Sequence, residues 1–274
     1  MKLLSRFQFE DVQGYKLGSS YFGKPKMLVH SFFVDGLLID TGHSNMRKEF
    51  MKAISEFAIE QVFITHHHED HSGNIDPIQA KFKVPIYAHP LCVKTMKNPP
   101  SISPAQWLSW GPRKANSKLL SKEEKIETEK FRFDIIPIPG HAHDMVGLYE
   151  KNQGWFFSAD LFVNTYIRFF MRAESMKEQI KSIKKVLKLD FDQLFCCHNP
   201  QKEGGKEKLA RKLTFFEDFY GQVKNLYQKG YSVRAIQKQM QVKPMHMVAI
   251  LSLGELSAKN MIRSVIRDEI SASS

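Results

Sequence analysis

The chain is poor in cysteine, in long apolar runs and in negative charge, and each shortage excludes something. Only three cysteines occur in 274 residues, Cys92 and the adjacent Cys196 and Cys197. An odd count with two neighbours is no disulfide framework. Free cysteine packs as a small buried hydrophobe, and core packing is the role expected here. No twenty-residue apolar run is present, and Met1-Lys2-Leu3-Leu4-Ser5-Arg6 leads into a charged, mixed segment instead of a signal-peptide core. The expected setting is the cytoplasm, without a membrane partner. Acidic residues number 29 against 40 Lys and Arg, a formal net charge of +11, which raises anionic substrates and nucleic acid as partners. The stretch from Gln201 onward holds 13 Lys and Arg against 7 Asp and Glu, a net +6. No basic stretch is interleaved with aromatics, so a solvated basic surface is the reading preferred. No internal repeat at a period of twenty to fifty residues marks a solenoid.

What is present reads as a folded enzyme-sized chain. A hydrophobic content of 42% with 25% charged residues suits a globular protein that buries a substantial core. Apolar runs at Val12 to Leu17, Met27 to Val34 and Leu37 to Asp40, separated by Gly and Pro turns, predict antiparallel strands. Met46, Phe50, Ile54 and Phe57 at helical spacing predict a helix over 45–57. A strand at 61–65, a helix near 74–82 and a strand at Val84 to Ala88 continue a strand-helix-strand rhythm. Residues 98–130, opened by Asn98-Pro99-Pro100, read as an insertion in which Trp107 and Trp110 line a pocket or, preferably, pack as core. Strands resume at 131–138, 147–150 and 154–158. Ser175 followed by Glu178 predicts a capped helix to about Leu189. Beyond Gly204-Gly205 the pattern is helical, at 206–228, 232–240, 245–251 and 255–270.

The chemistry is concentrated in Thr65-His66-His67-His68-Glu69-Asp70-His71, which sets four histidines and two acids in six positions. It follows Gln61-Val62-Phe63-Ile64, a β-prone run that ends in the histidines. Neutral imidazole and carboxylate are the donors a borderline divalent ion such as Zn²⁺ prefers. If the backbone stays extended, His66 and His68 point the same way and grip one ion, while Asp70 and His71 face a second. Two ions need more donors, and three later apolar runs end in one: Ile135-Ile136-Pro137-Ile138-Pro139-Gly140-His141, Trp155-Phe156-Phe157-Ser158-Ala159-Asp160 and Gln193-Leu194-Phe195-Cys196-Cys197-His198.

In that order these motifs resemble the metallo-β-lactamase superfamily over about residues 10 to 200. The resemblance implies an α/β fold, an αββα sandwich of two mixed β-sheets flanked by helices, spanning 1–203, with a small all-α extension at 204–274. It implies one metal on His66, His68 and His141 and a second on Asp70, His71 and His198, bridged by Asp160. Asp40, in Leu37-Leu38-Ile39-Asp40-Thr41-Gly42, is implied as the residue standing behind the ligands and orienting them. Ala159 stands where many members have glycine, a change a short side chain is expected to tolerate, and His143 has no ligand role in the pattern.

The implied activity is that of a binuclear hydrolase whose nucleophile is a hydroxide bridging two divalent ions, zinc first and iron or manganese as alternatives, with Asp70 orienting it. The loop is similar to that of glyoxalase II, which points to a small acyl ester, thioester or lactone. RNA is the second substrate class, because β-lactamase-like endoribonucleases share the ligand set and a helical extension. Redox chemistry at iron ranks third, since His68 stands where flavodiiron proteins generally have Glu. Tyr166, Arg168 and Arg172 follow Asp160 closely and either meet an anionic part of the substrate or lie on an amphipathic surface.

Overall fold

The computed structural model describes every residue except Phe22, Lys26, Pro244 and Ser274. Seven strands build the first sheet: β1 (Lys2–Phe9), β2 (Val12–Ser19), β3 (Val29–Val34), β4 (Leu37–Ile39), β5 (Gln61–Ile64), β6 (Ile86–Ala88) and β7 (Leu120–Ser121), in that spatial order. The β1 to β4 pairs are antiparallel, and β4 to β7 run parallel. The second sheet has the order β13-β11-β10-β9-β8, from β8 (Lys125–Glu127), β9 (Arg132–Pro137), β10 (Val146–Glu150), β11 (Trp155–Ala159) and β13 (Gln193–Cys196). Its strands are antiparallel apart from the parallel pair β11 and β13. A two-stranded ribbon joins β12 (Phe170–Met171) to β14 (Leu256–Ser257).

Apolar side chains from both sheets meet in one core. Phe32 and Phe63 of the first face Phe133, Phe157 and Phe195 of the second, and Phe157 stacks on Phe195 with centroids 4.6 Å apart. Each such ring contributes roughly 1.5–3 kcal/mol by leaving water. Helices α1 (Arg47–Ala53), α2 (Glu69–Ser72), α3 (Ile75–Phe82), α4 (Pro90–Lys97) and α5 (Pro104–Trp110) follow strands of the first sheet. The other face of the second sheet is covered by α6 (Met176–Val186), α7 (Gly205–Gln228), α8 (Val233–Gln239) and α10 (Ala258–Ser273), with α9 (His246–Leu251) between the last two. Ser175 caps α6 by accepting from Glu178 N at 3.2 Å, as the sequence pattern predicts.

Three features go beyond the sequence reading. Lys2–Phe9 is a strand, because Leu4, Phe7 and Phe9 lie against the core while Ser5, Arg6 and Gln8 between them are exposed. The presumed insertion at 98–130 is woven into both sheets, since Leu120 pairs with Tyr87 and Ile126 with Phe133. The helical stretch after 204 shares one core with the second sheet: Leu209, Phe216, Met261 and Val265 pack with Ile138, Phe156, Met176 and Leu194. Trp110 is buried as expected, whereas Trp107 is 52% exposed.

Candidate metal centre

Four strand ends and one turn converge on a single cluster. β5 is buried on both faces and delivers Thr65 to His68 at its C-terminal end, before α2 carries Asp70 and His71. β9 runs into the Pro139-Gly140 turn that presents His141. Here Gly140 sits at φ +132°, and a Cβ would meet Gln179 N at 2.5 Å, so only glycine admits α6 so close. β11 ends in Ala159 at φ +44° and β4 ends in Asp40 at φ +61°. These are two strained non-glycine positions, of the kind that cluster at functional sites. The glycine expected in place of Ala159 is thus a backbone matter more than one of side-chain room.

The seven predicted ligands form two groups, His66 with His68 and His141, and Asp70 with His71, Asp160 and His198. Within each group one donor atom per residue lies within 4.8 Å of the others. In the first, His66 Nε2 and His141 Nε2 each stand 3.0 Å from His68 Nδ1. In the second, Asp70 Oδ2 is 3.6 Å from His71 Nε2 and 3.4 Å from His198 Nε2. Asp160 faces both, its Oδ1 3.4 Å from His71 Nε2 and its Oδ2 3.1 Å from His198 Nε2 and 3.3 Å from His141 Nε2.

Outer partners orient these rings. His71 Nδ1 donates to Asp40 Oδ2 at 2.8 Å, and Thr65 N and Oγ1 donate to the same carboxylate. His198 Nδ1 donates to Leu28 O at 2.6 Å. His141 Nδ1 lies 3.4 Å from Glu174 Oε2. Each ring therefore turns its other nitrogen, Nε2, inward.

The donor set fits divalent cations. His71 Nε2 and Asp160 Oδ1 are buried and have no hydrogen-bond partner among the described residues, an expensive arrangement unless a cation satisfies both. Burial, then the neighbouring imidazoles, push His66 and His68 well below the usual histidine range, into the neutral form that ligates. Burial opposes charge on His71 and His198 as well, but Asp160 and Asp70 outweigh it and raise both, a sign of how strongly this corner draws positive charge. Burial also works against the Asp160 carboxylate, yet His198 and His71 hold it well below the usual range.

Several supporting side chains were not read from the sequence. Arg113, from the stretch taken as an insertion, donates to His67 O at 2.7 Å and lies 3.9 Å from buried Glu69. Lys212 of α7 is fully buried and donates to Leu161 O and Phe162 O at 2.7 and 2.9 Å, fixing the turn after Asp160. Glu174 carries no motif at all. Cys197, buried as expected, points its thiol to Asp40 Oδ2 at 3.5 Å. His143 pairs with Thr95 Oγ1 at 3.0 Å, beside the bonded pair His67 and Asp144. The contacts of the three residues expected to meet substrate run to the helical tail. Tyr166 sets its ring edge on Phe215, Arg168 lines a cavity of about 460 Å³ with Phe215, Phe219 and Lys243, and Arg172 bonds Leu253 O at 2.6 Å beside Glu255.

A family model described as the metallo-beta-lactamase superfamily matches residues 27–198. An uncharacterized protein of Aquifex aeolicus is 25% identical over 194 residues, covering 70% of this chain and 88% of its own. A hydroxyacylglutathione hydrolase of Wigglesworthia glossinidia brevipalpis is 28% identical over 155 residues, 56% of this chain, and the match spans half of that relative's length. Among solved structures, a metallo-beta-lactamase family protein of Thermus thermophilus superposes with a TM-score of 0.67 at 14% identity, over 95% of this chain and 94% of that one. At that identity the likeness is one of fold.

Proposed function

The chain belongs to the metallo-beta-lactamase superfamily, and from that premise we propose that it is a hydrolase holding two divalent ions, zinc foremost, and acting on a small acyl ester, thioester or lactone. The observation that carries the reading is Asp160, whose two carboxylate oxygens face the two ligand groups from the middle. Iron or manganese fits the same donors less specifically.

Bound at these seven residues, divalent ions would supply a water of lowered pKa and an electrophile for a carbonyl oxygen. The protein's own part is electrostatic and positional. Five neutral imidazoles with two carboxylates offset two of the four positive charges of such a pair, so the site stays electrophilic. Asp70, buried beside His71 and His198, would hold the attacking water and pass its proton to the leaving group. The acyl class is supported by the hydroxyacylglutathione hydrolases among the relatives.

The test is elemental analysis of protein purified without chelator, beside hydrolysis of acyl thioesters and of single-stranded RNA across a salt series. Near two equivalents of metal and salt-insensitive thioester cleavage are expected. Salt-sensitive RNA cleavage with no acyl hydrolysis would reverse the substrate assignment, because phosphate contacts release counterions. Asp70→Asn is expected to abolish turnover more completely than it removes metal. Loss of activity in strict proportion to metal would reduce Asp70 to a ligand.

A further inference from the structure

His141 stands beyond the end of β9 at Pro137, and what supports it comes from far along the chain. Its turn is gripped by the segment that opens α6: Ser175 N donates to Gly140 O at 2.8 Å, and Ser182 Oγ donates to Pro139 O at 2.7 Å. Glu174, just before that helix, is buried and aims Oε2 at His141 Nδ1 across 3.4 Å. Its carboxylate is not free to swing. Oε1 accepts from Met171 N and Oε2 from Gln179 Nε2, each at 2.8 Å. A carboxylate so fixed behind a histidine sets the ring's tautomer and raises its basicity.

The segment carrying Glu174 is in turn held by α10. Asn260, Ser264 and Arg267, spaced four and three residues apart, lie on one helix face. Asn260 Nδ2 donates to Phe170 O at 3.1 Å, Ser264 Oγ accepts from Met176 N at 2.8 Å, and Arg267 Nη2 donates to Glu174 O at 2.9 Å. Three polar side chains thus satisfy backbone groups on both flanks of Glu174 and at Glu174 itself. Burying Asn260 and Ser264 between helix and sheet is tolerable only because each has such a partner.

We infer that Glu174 is a positioning residue for the metal held by His66, His68 and His141, and that α10, through Asn260, Ser264 and Arg267, belongs to that metal's support. The inference rests on the two-metal reading proposed above. The geometry explains why a helical tail shares a core with the catalytic sheet, because one face of α10 is spent on the segment behind His141.

The experiment is a zinc titration of chelator-stripped protein against a chromophoric competitor, resolving the two equivalents, with melting temperature as a fold check. Glu174→Gln is expected to weaken one equivalent about 10- to 100-fold and leave the other within a factor of about two. Arg267→Ala should weaken the same equivalent by a smaller factor. The double variant should be no weaker than Glu174→Gln alone, because both act through one ring. Two equivalents at wild-type affinity in Glu174→Gln, or equal loss at both, would overturn the role of Glu174. Additive losses in the double variant would overturn the link to α10. Should the wild type itself bind no zinc, the two-metal reading falls and this inference with it.

Discussion

Asp40 stands behind His71 at 2.8 Å and accepts from three further donors, whereas Glu174 stands behind His141 at 3.4 Å and accepts from two. Both are buried acids behind a histidine, but they come from opposite halves of the chain. Asp40 ends a strand of the first sheet, in the parallel half where it also bonds the neighbouring strand end at Thr65. Glu174 lies in a short loop whose shape depends on α6 and α10. The difference teaches that the two ligand groups draw rigidity from different sources, one from sheet hydrogen bonding and the other from a helix docked across it.

The comparison breaks altogether at Asp160, which belongs to the second group and also faces His141 of the first. Asp160→Ala is expected to weaken both zinc equivalents together, by more than about 100-fold, the upper end of what losing an outer partner costs, and to abolish turnover. Titration against a competing chelator checks this, and retention of either equivalent at wild-type affinity would deny Asp160 its shared role. Next in size is Asp40→Asn, which keeps the shape but removes the charge behind His71. About 10- to 100-fold should be lost at the Asp70, His71 and His198 equivalent, the mirror image of the loss expected from Glu174→Gln.

Lys212 probes the tail side without touching a ligand. Burial pushes its ammonium down to about 8, against a usual 10.5. The folded value is the lower one, so between pH 8 and 10.5 the unfolded chain holds a proton that the folded chain has released. Stability therefore rises with pH through that window and is flat below it. The full rise is about 3 kcal/mol at 1.36 kcal/mol per pH unit. Urea denaturation of the wild type and Lys212→Met across pH 7 to 11 should show the rise in the first and its absence in the second. The smallest effect is expected at Ala159, which holds φ +44° just before Asp160. A left-handed L-residue costs roughly 1–2 kcal/mol, and glycine's freer unfolded chain returns about half of that. Ala159→Gly should thus raise the unfolding free energy by about 0.5–1 kcal/mol, read as a higher urea midpoint at constant slope; a fall would show that the methyl group packs usefully.

The seven proposed ligands and Asp40 stood out in the sequence because each lies at or just beyond a strand-like apolar run, where local pattern and chemistry coincide. The same logic located most strands and the capped helices. It failed at Lys2–Phe9, where polar residues between Leu4, Phe7 and Phe9 masked an edge strand, and at 98–130, where two- and three-residue strands are too short to show a period. Glu174, Arg113 and Lys212 were unreadable for another reason. Their roles depend on which distant carbonyl or ring they meet, and a charged residue in a polar context carries no sign of that. Arg172 was open between substrate and an amphipathic surface, and position near Asp160 could not decide it; its guanidinium fastens the tail at Leu253 O and Gly254 O.

The three-residue polar stripe on α10 also bears on how the protein is made. A chain emerging from the ribosome N-terminus first presents His66 through His198 well before residues 260–267 exist. On the two-metal reading proposed above, the seven donors would be available to an ion while His141 is still loosely held. Arg267 reaches Glu174 O only once α10 docks. Closing a contact across so much chain costs entropy that grows slowly with length. Metal loading and the setting of the loop behind His141 would then be separable in time, with α10 as the latch.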